Sequence, residues 1–440
     1  MSISIKEIRF ILLVPLILLF ANCSTKTSHK QKGNVFIENT NGNYSLYKNG
    51  KKFVIKGAGG YSNLETLREA GGNTIRIWDT TNLTAILQNA KQNNLSVIVG
   101  IPIFESEHLF YYNDPIKTEQ QFQTVKTFVN KFKNDPSILM WCVGNELYFP
   151  FSLSYKKFYK AFNRIVDMIH EDDPNHPVTT TMVNFQPSQI FNLKFKTDID
   201  IISFNIFSRI SFLRRDLKRY SWLWNGPYLI AEWGTNGPWV DEPKTAWEAY
   251  IEPSSTKKAA IYKAMYQKFM PVEDPRFLGS CIFYWGQKQE RTHTWFSLFD
   301  EYGNKTEAVS TVKQLWLGNK TLHTSVQIDK IQLNQKEAKD NILLNSSEIA
   351  NAQVFLTKPD SNITKINWEI YPEDWHEKNG KSNTIRPDAI ELKIIRSEAL
   401  KIQFIAPEKE GPYRLFAFIY NKYGFVSTCN IPFYVIQKKQ

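Results

Sequence analysis

Cysteine is scarce in this chain of 440 residues. There are four, Cys23, Cys142, Cys281 and Cys429, and no two stand at a metal-ligand or redox spacing. Cys142 and Cys281 fall in strand-like apolar runs and read as small buried residues, with a disulfide between them as an open alternative. Histidine is sparse as well: His108, His170, His176, His293 and His323 show no ligand spacing, so no metal and no cofactor are expected. A dense basic stripe is missing. The formal charge is +11, but the Lys and Arg residues are scattered, which describes a basic solvated surface and excludes nucleic acid as the expected partner. A glycine-rich phosphate turn is missing too. Gly57-Ala58-Gly59-Gly60 lacks the G-x-G-x-x-G spacing and has no acidic residue where a ribose contact belongs, which sets aside a doubly wound dinucleotide-binding sheet. Internal repeats and low-complexity tracts are absent.

Membrane-spanning length is lacking at the N-terminus. Lys6 and Arg9 precede an apolar stretch, Phe10 to Phe20, whose eleven residues are too few to cross a bilayer as a helix. A basic start, a short apolar middle and Ala21-Asn22-Cys23 read as a secretory signal over residues 1–22. Cys23 stands where a bacterial lipoprotein is lipidated, although Asn22 replaces the usual small residue. Residues 23–33 read as a flexible polar tether. The expected location is the cell envelope, lipid-anchored, on the outer membrane or facing the periplasm.

From Asn34 short apolar runs alternate with helical segments, the pattern of an α/β fold with a parallel sheet. Asn49-Gly50 is a hairpin-type turn leading into a first strand, Phe53 to Ala58. Further strands are expected at 73–78, 95–101, 137–143, 177–182, 199–204, 228–231 and 278–285. Helices fall between them, among them 119–132 with Phe122, Val125, Phe128, Val129 and Phe132 on one face. Eight such units fit a (β/α)8 barrel over residues 34–318. After about residue 319 helical periodicity fades. Seven short strands between residues 352 and 436 suggest an immunoglobulin-like β-sandwich over 325–440. Gly411-Pro412-Tyr413 resembles a tyrosine corner.

Two glutamates carry most of the chemistry. Glu146 closes the run Ile138 to Asn145, and Glu232 closes Tyr228 to Ala231. In each case an apolar run of the buried-strand type ends in a carboxylate, which puts the charge at the mouth of the sheet. Glycoside hydrolysis requires two such groups: an acid to protonate the leaving oxygen and a carboxylate to attack or to activate water. The other strand ends supply Arg76, Trp78 and Asp79, then Phe104 and Glu105, then Asn145, Asn205, Phe207 and Trp285. Polar, acidic and aromatic groups at one rim make up a sugar site, with Asp79 and Glu105 as outlying acids. Aromatic content is high at 14% with 12 Trp, and some of Trp222, Trp224, Trp233, Trp239 and Trp295 are expected at the site.

On these residues the chain resembles the clan A glycoside hydrolases, nearest to the family 2 catalytic TIM barrel and its family 5 relatives. The resemblance implies that Glu146, within Gly144-Asn145-Glu146, is the acid/base, with Asn145 contacting a sugar hydroxyl. It also implies that Glu232, within Ala231-Glu232-Trp233-Gly234, is the nucleophile. Arg76 would contact the nucleophile and Trp285 would form the platform under the sugar. Trp78, Asn205 and Trp233 complete the expected substrate-binding set. Retention of configuration is implied, with the carboxyls about 5–5.5 Å apart. There are departures. Members place a Tyr after strand six where this chain offers Phe207, so Tyr284 or Tyr148 would have to substitute. Family 2 enzymes also carry β-domains ahead of the barrel, whereas here the sandwich follows it. The expected activity is that of a membrane-tethered β-glycosidase or β-glucanase acting on an oligo- or polysaccharide. The alternatives are a transglycosylase on the same scaffold and a glycan-binding lipoprotein without turnover. A third reading makes the sandwich a carbohydrate-binding module through Trp368 and Trp375, but a structural spacer or partner-docking domain is the expected role.

Overall fold

The computed structural model describes residues 34–237, 243–318, 323–374 and 385–437. The signal segment, Cys23 and the tether lie outside them, as do Trp239 and Trp375. The chain opens on an antiparallel meander of β1 (Val35–Thr40), β2 (Asn43–Lys48) and β3 (Lys51–Phe53). Asn49 and Gly50 both have positive φ, as the two-residue turn between β2 and β3 requires. That turn therefore joins two meander strands, and the barrel begins only at Ile55.

Eight parallel strands close into a barrel: β4 (Ile55–Gly59), β5 (Thr74–Ile77), β6 (Ser96–Ile101), β7 (Ile138–Val143), β8 (Val178–Val183), β9 (Ile201–Asn205), β10 (Tyr228–Trp233) and β11 (Phe277–Ile282). Strands β6, β7 and β10 are buried along their whole length, which is why they read as unbroken apolar runs. Helices pack outside. The helix Pro115–Phe132 starts four residues before its apolar face suggests, because Asp114 accepts from the amides of Ile116 and Lys117 and Pro115 occupies the first turn. The helix Lys156–Asp172 buries Phe158, Phe162, Ile165 and Ile169 against the strands.

The meander closes the barrel floor. Val35 and Leu46 pack with Ile55, Ile98, Leu139, Ile201, Leu229 and Leu278. The Tyr44 amide donates to the Pro275 carbonyl at 2.7 Å, just ahead of β11. Access is thus left to the opposite end, where the strands terminate.

The C-terminal region is a β-sandwich of two four-stranded sheets. One holds β12 (Ile328–Leu333), β14 (Ile349–Leu356), β17 (Lys401–Ile405) and β16 (Ile394–Glu398). The other holds β13 (Leu343–Asn345), β19 (Val426–Ile436), β18 (Gly411–Asn421) and β15 (Ile363–Pro372). Leu333, Val354, Ile370, Phe404, Leu415, Ile431 and Phe433 fill the space between them. Tyr413 donates to the Lys409 carbonyl at 2.8 Å, the bond of a tyrosine corner. Trp368 belongs to this core, so it offers no exposed platform for sugar.

Candidate active site

The site is built where strands end. Beyond β7 the chain turns sharply: Gly144 has φ 72°, and a Cβ there would stand 2.4 Å from Leu147. Glu146 itself holds φ 55°, uncommon for a residue with a side chain. The Thr181 hydroxyl of β8 fixes this turn, accepting from the Glu146 amide at 2.9 Å and donating to Asn145 Oδ1 at 3.1 Å.

Arg76, from β5, is fully buried and forms an ion pair with Glu232 Oε1. Its Nη2 donates to Asn145 Oδ1 at 2.6 Å. The Trp78 indole N–H donates to the same Oε1 of Glu232 at 2.8 Å. Trp78 can lie there because Gly59 leaves room: a Cβ at Gly59 would stand 2.7 Å from the indole. The glycine run that superficially resembled a phosphate turn is therefore a packing device inside β4. Asn205, at the end of β9, donates to Glu146 Oε1 at 2.8 Å and to Asn145 Oδ1 at 3.3 Å. A continuous chain of bonds thus runs from Glu146 through Asn205, Asn145 and Arg76 to Glu232.

Both glutamates line one cavity of about 1210 Å³, walled also by Trp78, Asn205, Phe207, Tyr284 and the loop Gln287–Glu290. The pKa of Glu146 is raised by burial of its carboxyl and next by the Glu232 charge, against the Asn205 hydrogen bond, which lowers it. For Arg76 burial works against the charge, but Glu232 outweighs it and the guanidinium stays above its ordinary range. Such an arrangement favours the acid form of Glu146 on the same cavity as an ion-paired Glu232, the kind of asymmetry that glycosyl transfer uses.

Of the expected residues, Glu146, Glu232, Arg76, Asn145, Trp78 and Asn205 converge. Trp233 and Trp285 do not. Side chains alternate along a strand, so with Glu232 facing inward Trp233 faces out, between Tyr262 and Tyr266, each 5.7 Å away. The β11 ladder ends at Ile282, and Trp285 turns into the core, where its indole donates to the Asn63 carbonyl at 3.2 Å. The aromatic wall is instead Trp78 with Tyr284, their rings 5.8 Å apart. Trp224 and Trp295 bond to loop carbonyls and Trp222 is exposed, and none of the three lines the cavity. Asp79 lines it, whereas Glu105 pairs with His108 at 2.9 Å on the surface. Phe207 lines the same cavity as Glu232 but carries no donor, and the neutral donor to Glu232 is Trp78. Cys142, Cys281 and Cys429 are free and buried. Sequence reasoning missed Thr181, whose only signal was the Thr179-Thr180-Thr181 run, and the Gln287–Glu290 loop, which carried none.

Residues 67–238 match the model of the glycosyl hydrolases family 2 TIM barrel domain. No curated protein matches the chain. Among solved structures, the chain is similar to Bacteroides uniformis β-glucuronidase 2, with 13% identity and a TM-score of 0.51, over 92% of this chain and 48% of that one. It is similar to the Bifidobacterium dentium β-glucuronidase, with 15% identity and a TM-score of 0.52, over 64% and 49%. It is also similar to the Eisenbergiella tayi family 2 β-galacturonidase, with 17% identity and a TM-score of 0.50, over 65% and 54%. The chain spans about half the length of these proteins, and at such identities the likeness is one of fold. The matched model and the shared fold together show a (β/α)8 barrel that resembles the family 2 TIM barrel domain.

Proposed function

We propose that the protein is a retaining β-glycoside hydrolase acting on a β-linked glycan, with β-glucans as the first candidates. The observation that carries this is the asymmetric bonding of two carboxylates on one cavity. Among the described residues both hydrogen bonds to the Glu232 carboxylate fall on Oε1, which leaves Oε2 without a protein donor on a residue that lines the cavity. Glu146 accepts from Asn205 on Oε1 and keeps its other oxygen for a proton.

In the first step Glu232 Oε2 bonds to the anomeric carbon while the glycosidic C–O bond breaks. The electron pair leaves with the departing oxygen, which takes the Glu146 proton. In the second step water gives a proton to Glu146 and its oxygen bonds to the anomeric carbon, releasing Glu232. Arg76 and Trp78 hold the nucleophile in one orientation throughout, so little reorganisation is needed at the moment of reaction. Rates on aryl β-glycosides and on a panel of β-glucans, β-mannans and β-galactans, wild type against Glu232→Gln, test the reading. Turnover in the wild type and its loss in the variant are expected. Equal residual rates in both proteins would favour a glycan-binding protein without turnover.

The proposed location is the cell envelope, with the chain tethered through a lipidated Cys23. Fatty-acid labelling that disappears in Cys23→Ala supports this, and labelling that persists contradicts it.

A further inference from the structure

Beneath the active-site loop lies a second charged cluster that the reaction does not use. The loop leaves β11, presents Gln287, Lys288, Gln289 and Glu290 to the cavity, and returns at Asp300. Its inner turn is tied to Glu252. The Thr292 hydroxyl donates to Glu252 Oε2 at 2.6 Å and the Thr294 hydroxyl to Oε1 at 2.8 Å. Lys258, on the helix Ser255–Phe269, pairs with Glu252 and also donates to the Thr294 carbonyl at 2.6 Å. The fourth donor comes from the sandwich: Asn430 Nδ2, on β19, bonds to Glu252 Oε2 at 2.7 Å. A carboxylate has about four acceptor sites, and here all are filled.

The sandwich continues the network. Arg414, on β18, donates to Asn430 Oδ1 at 2.7 Å and to the Tyr250 carbonyl at 2.7 Å, and is paired with Glu373 at 2.6 Å. Two cations and two anions therefore balance in a buried cluster. Buried ion clusters contribute little net stability relative to apolar packing, and their best-attested use is to fix one geometry among several. Two more contacts reach the same loop. Gln289 Nε2 donates to Asp374 Oδ2 at 2.8 Å, and the His293 ring lies 4.5 Å from that of Phe416.

We propose that the C-terminal sandwich positions the active-site loop, with Asn430 and Arg414 holding Thr292–Thr294 through Glu252 and with Asp374 holding Gln289. The functional half of this rests on the glycosidase reading above. The sandwich is then part of the catalytic unit, in place of a spacer. Asn430, Arg414 and Asp374 touch no substrate and act as positioning residues. Loosening the loop also moves Glu290, one of the charges facing Glu146. The others are Glu232 on β10, Arg76 on β5, and Lys288, Asp79 and Arg209 around the cavity wall.

The test uses the full chain with Asn430→Ala and, as a variant outside the buried cluster, Asp374→Ala. Amide exchange over residues 286–299 should quicken in both, by about ten-fold in Asn430→Ala. The kcat/KM on the best aryl glycoside should fall about ten-fold in Asn430→Ala and about three-fold in Asp374→Ala, as expected for misplaced wall residues. The alkaline limb of the Asn430→Ala rate profile should move to lower pH, which a merely destabilised protein would not show. Exchange and kcat/KM within about two-fold of wild type in both variants would overturn the proposal. If Asn430→Ala does not fold, an unchanged Asp374→Ala overturns it alone. A wild type that turns over no glycoside would defeat the glycosidase reading, while the exchange measurement would still decide whether the sandwich holds the loop.

Discussion

At the mouth of the barrel Arg76 meets Glu232, and at the junction with the sandwich Arg414 meets Glu373. Both arginines are buried, and each also bonds to an asparagine, Asn145 in one place and Asn430 in the other. The difference lies in what is left open. At the junction the network runs on into Glu252, whose four acceptor sites are taken by protein donors. At the mouth, Glu146 and Glu232 line the cavity, and each carboxylate bonds to the protein through Oε1 alone among the described residues. A satisfied buried carboxylate is a structural element. One that is half satisfied beside a void of sugar-sized dimensions is free to make a bond to something else. Residue type and burial do not separate the two cases; the count of unused acceptor sites does.

Four substitutions sharpen or break this contrast. The largest effect is expected from Glu146→Gln, which should lower kcat about 10²–10⁴-fold on substrates with poor leaving groups and far less on activated aryl glycosides. Equal losses on both would deny it the acid role. Next is Glu252→Ala at the junction, which strands Lys258 without its counter-charge. Urea unfolding should show a loss of about 3–5 kcal/mol, a stability effect that Glu146→Gln should lack. Trp78→Phe keeps an aromatic wall and removes the N–H on Glu232 Oε1. A fall of about ten-fold in kcat is expected, in line with one lost hydrogen bond to a charged group. The smallest effect concerns pH. Glu146 must be protonated to act, and its raised pKa carries the acid form to higher pH. Glu290 adds to that rise, so Glu290→Gln should shift the alkaline limb of kcat/KM to lower pH. A shift to higher pH would contradict the placement of that charge.

The parts of this account that could be read in the sequence are those set by strand periodicity. Apolar runs ending in Glu146 and Glu232 gave two strand ends, and Arg76, Asn145 and Asn205 followed from the same rule. Orientation beyond the ladder was not legible. Trp285 lies past the end of β11, where alternation no longer applies, whereas Trp233 lies inside β10, where alternation beside an inward Glu232 already turns it away. The meander escaped notice because β1 to β3 are short and hold only two fully buried residues, Val35 and Leu46, so their pattern resembles a connector. Two of the seven strands expected in the sandwich are one: β19 runs unbroken through Pro432. β13 pairs with β19 only from Tyr434 onward, beyond the proline. The Glu252–Asn430 bond joins residues 178 apart in the chain, and no local pattern announces it.

The central claim is that Glu232 attacks the sugar from a cavity it shares with Glu146. A 2-deoxy-2-fluoro glycoside of the preferred sugar, which slows the second step, tests this most directly when the labelled protein is digested and the modified peptide sequenced by mass spectrometry. A glycosyl ester on Glu232 in the wild type, lost in Glu232→Gln, is the predicted result. An active enzyme that carries its label on another residue, or that gives no label and an inverted product, would contradict the account.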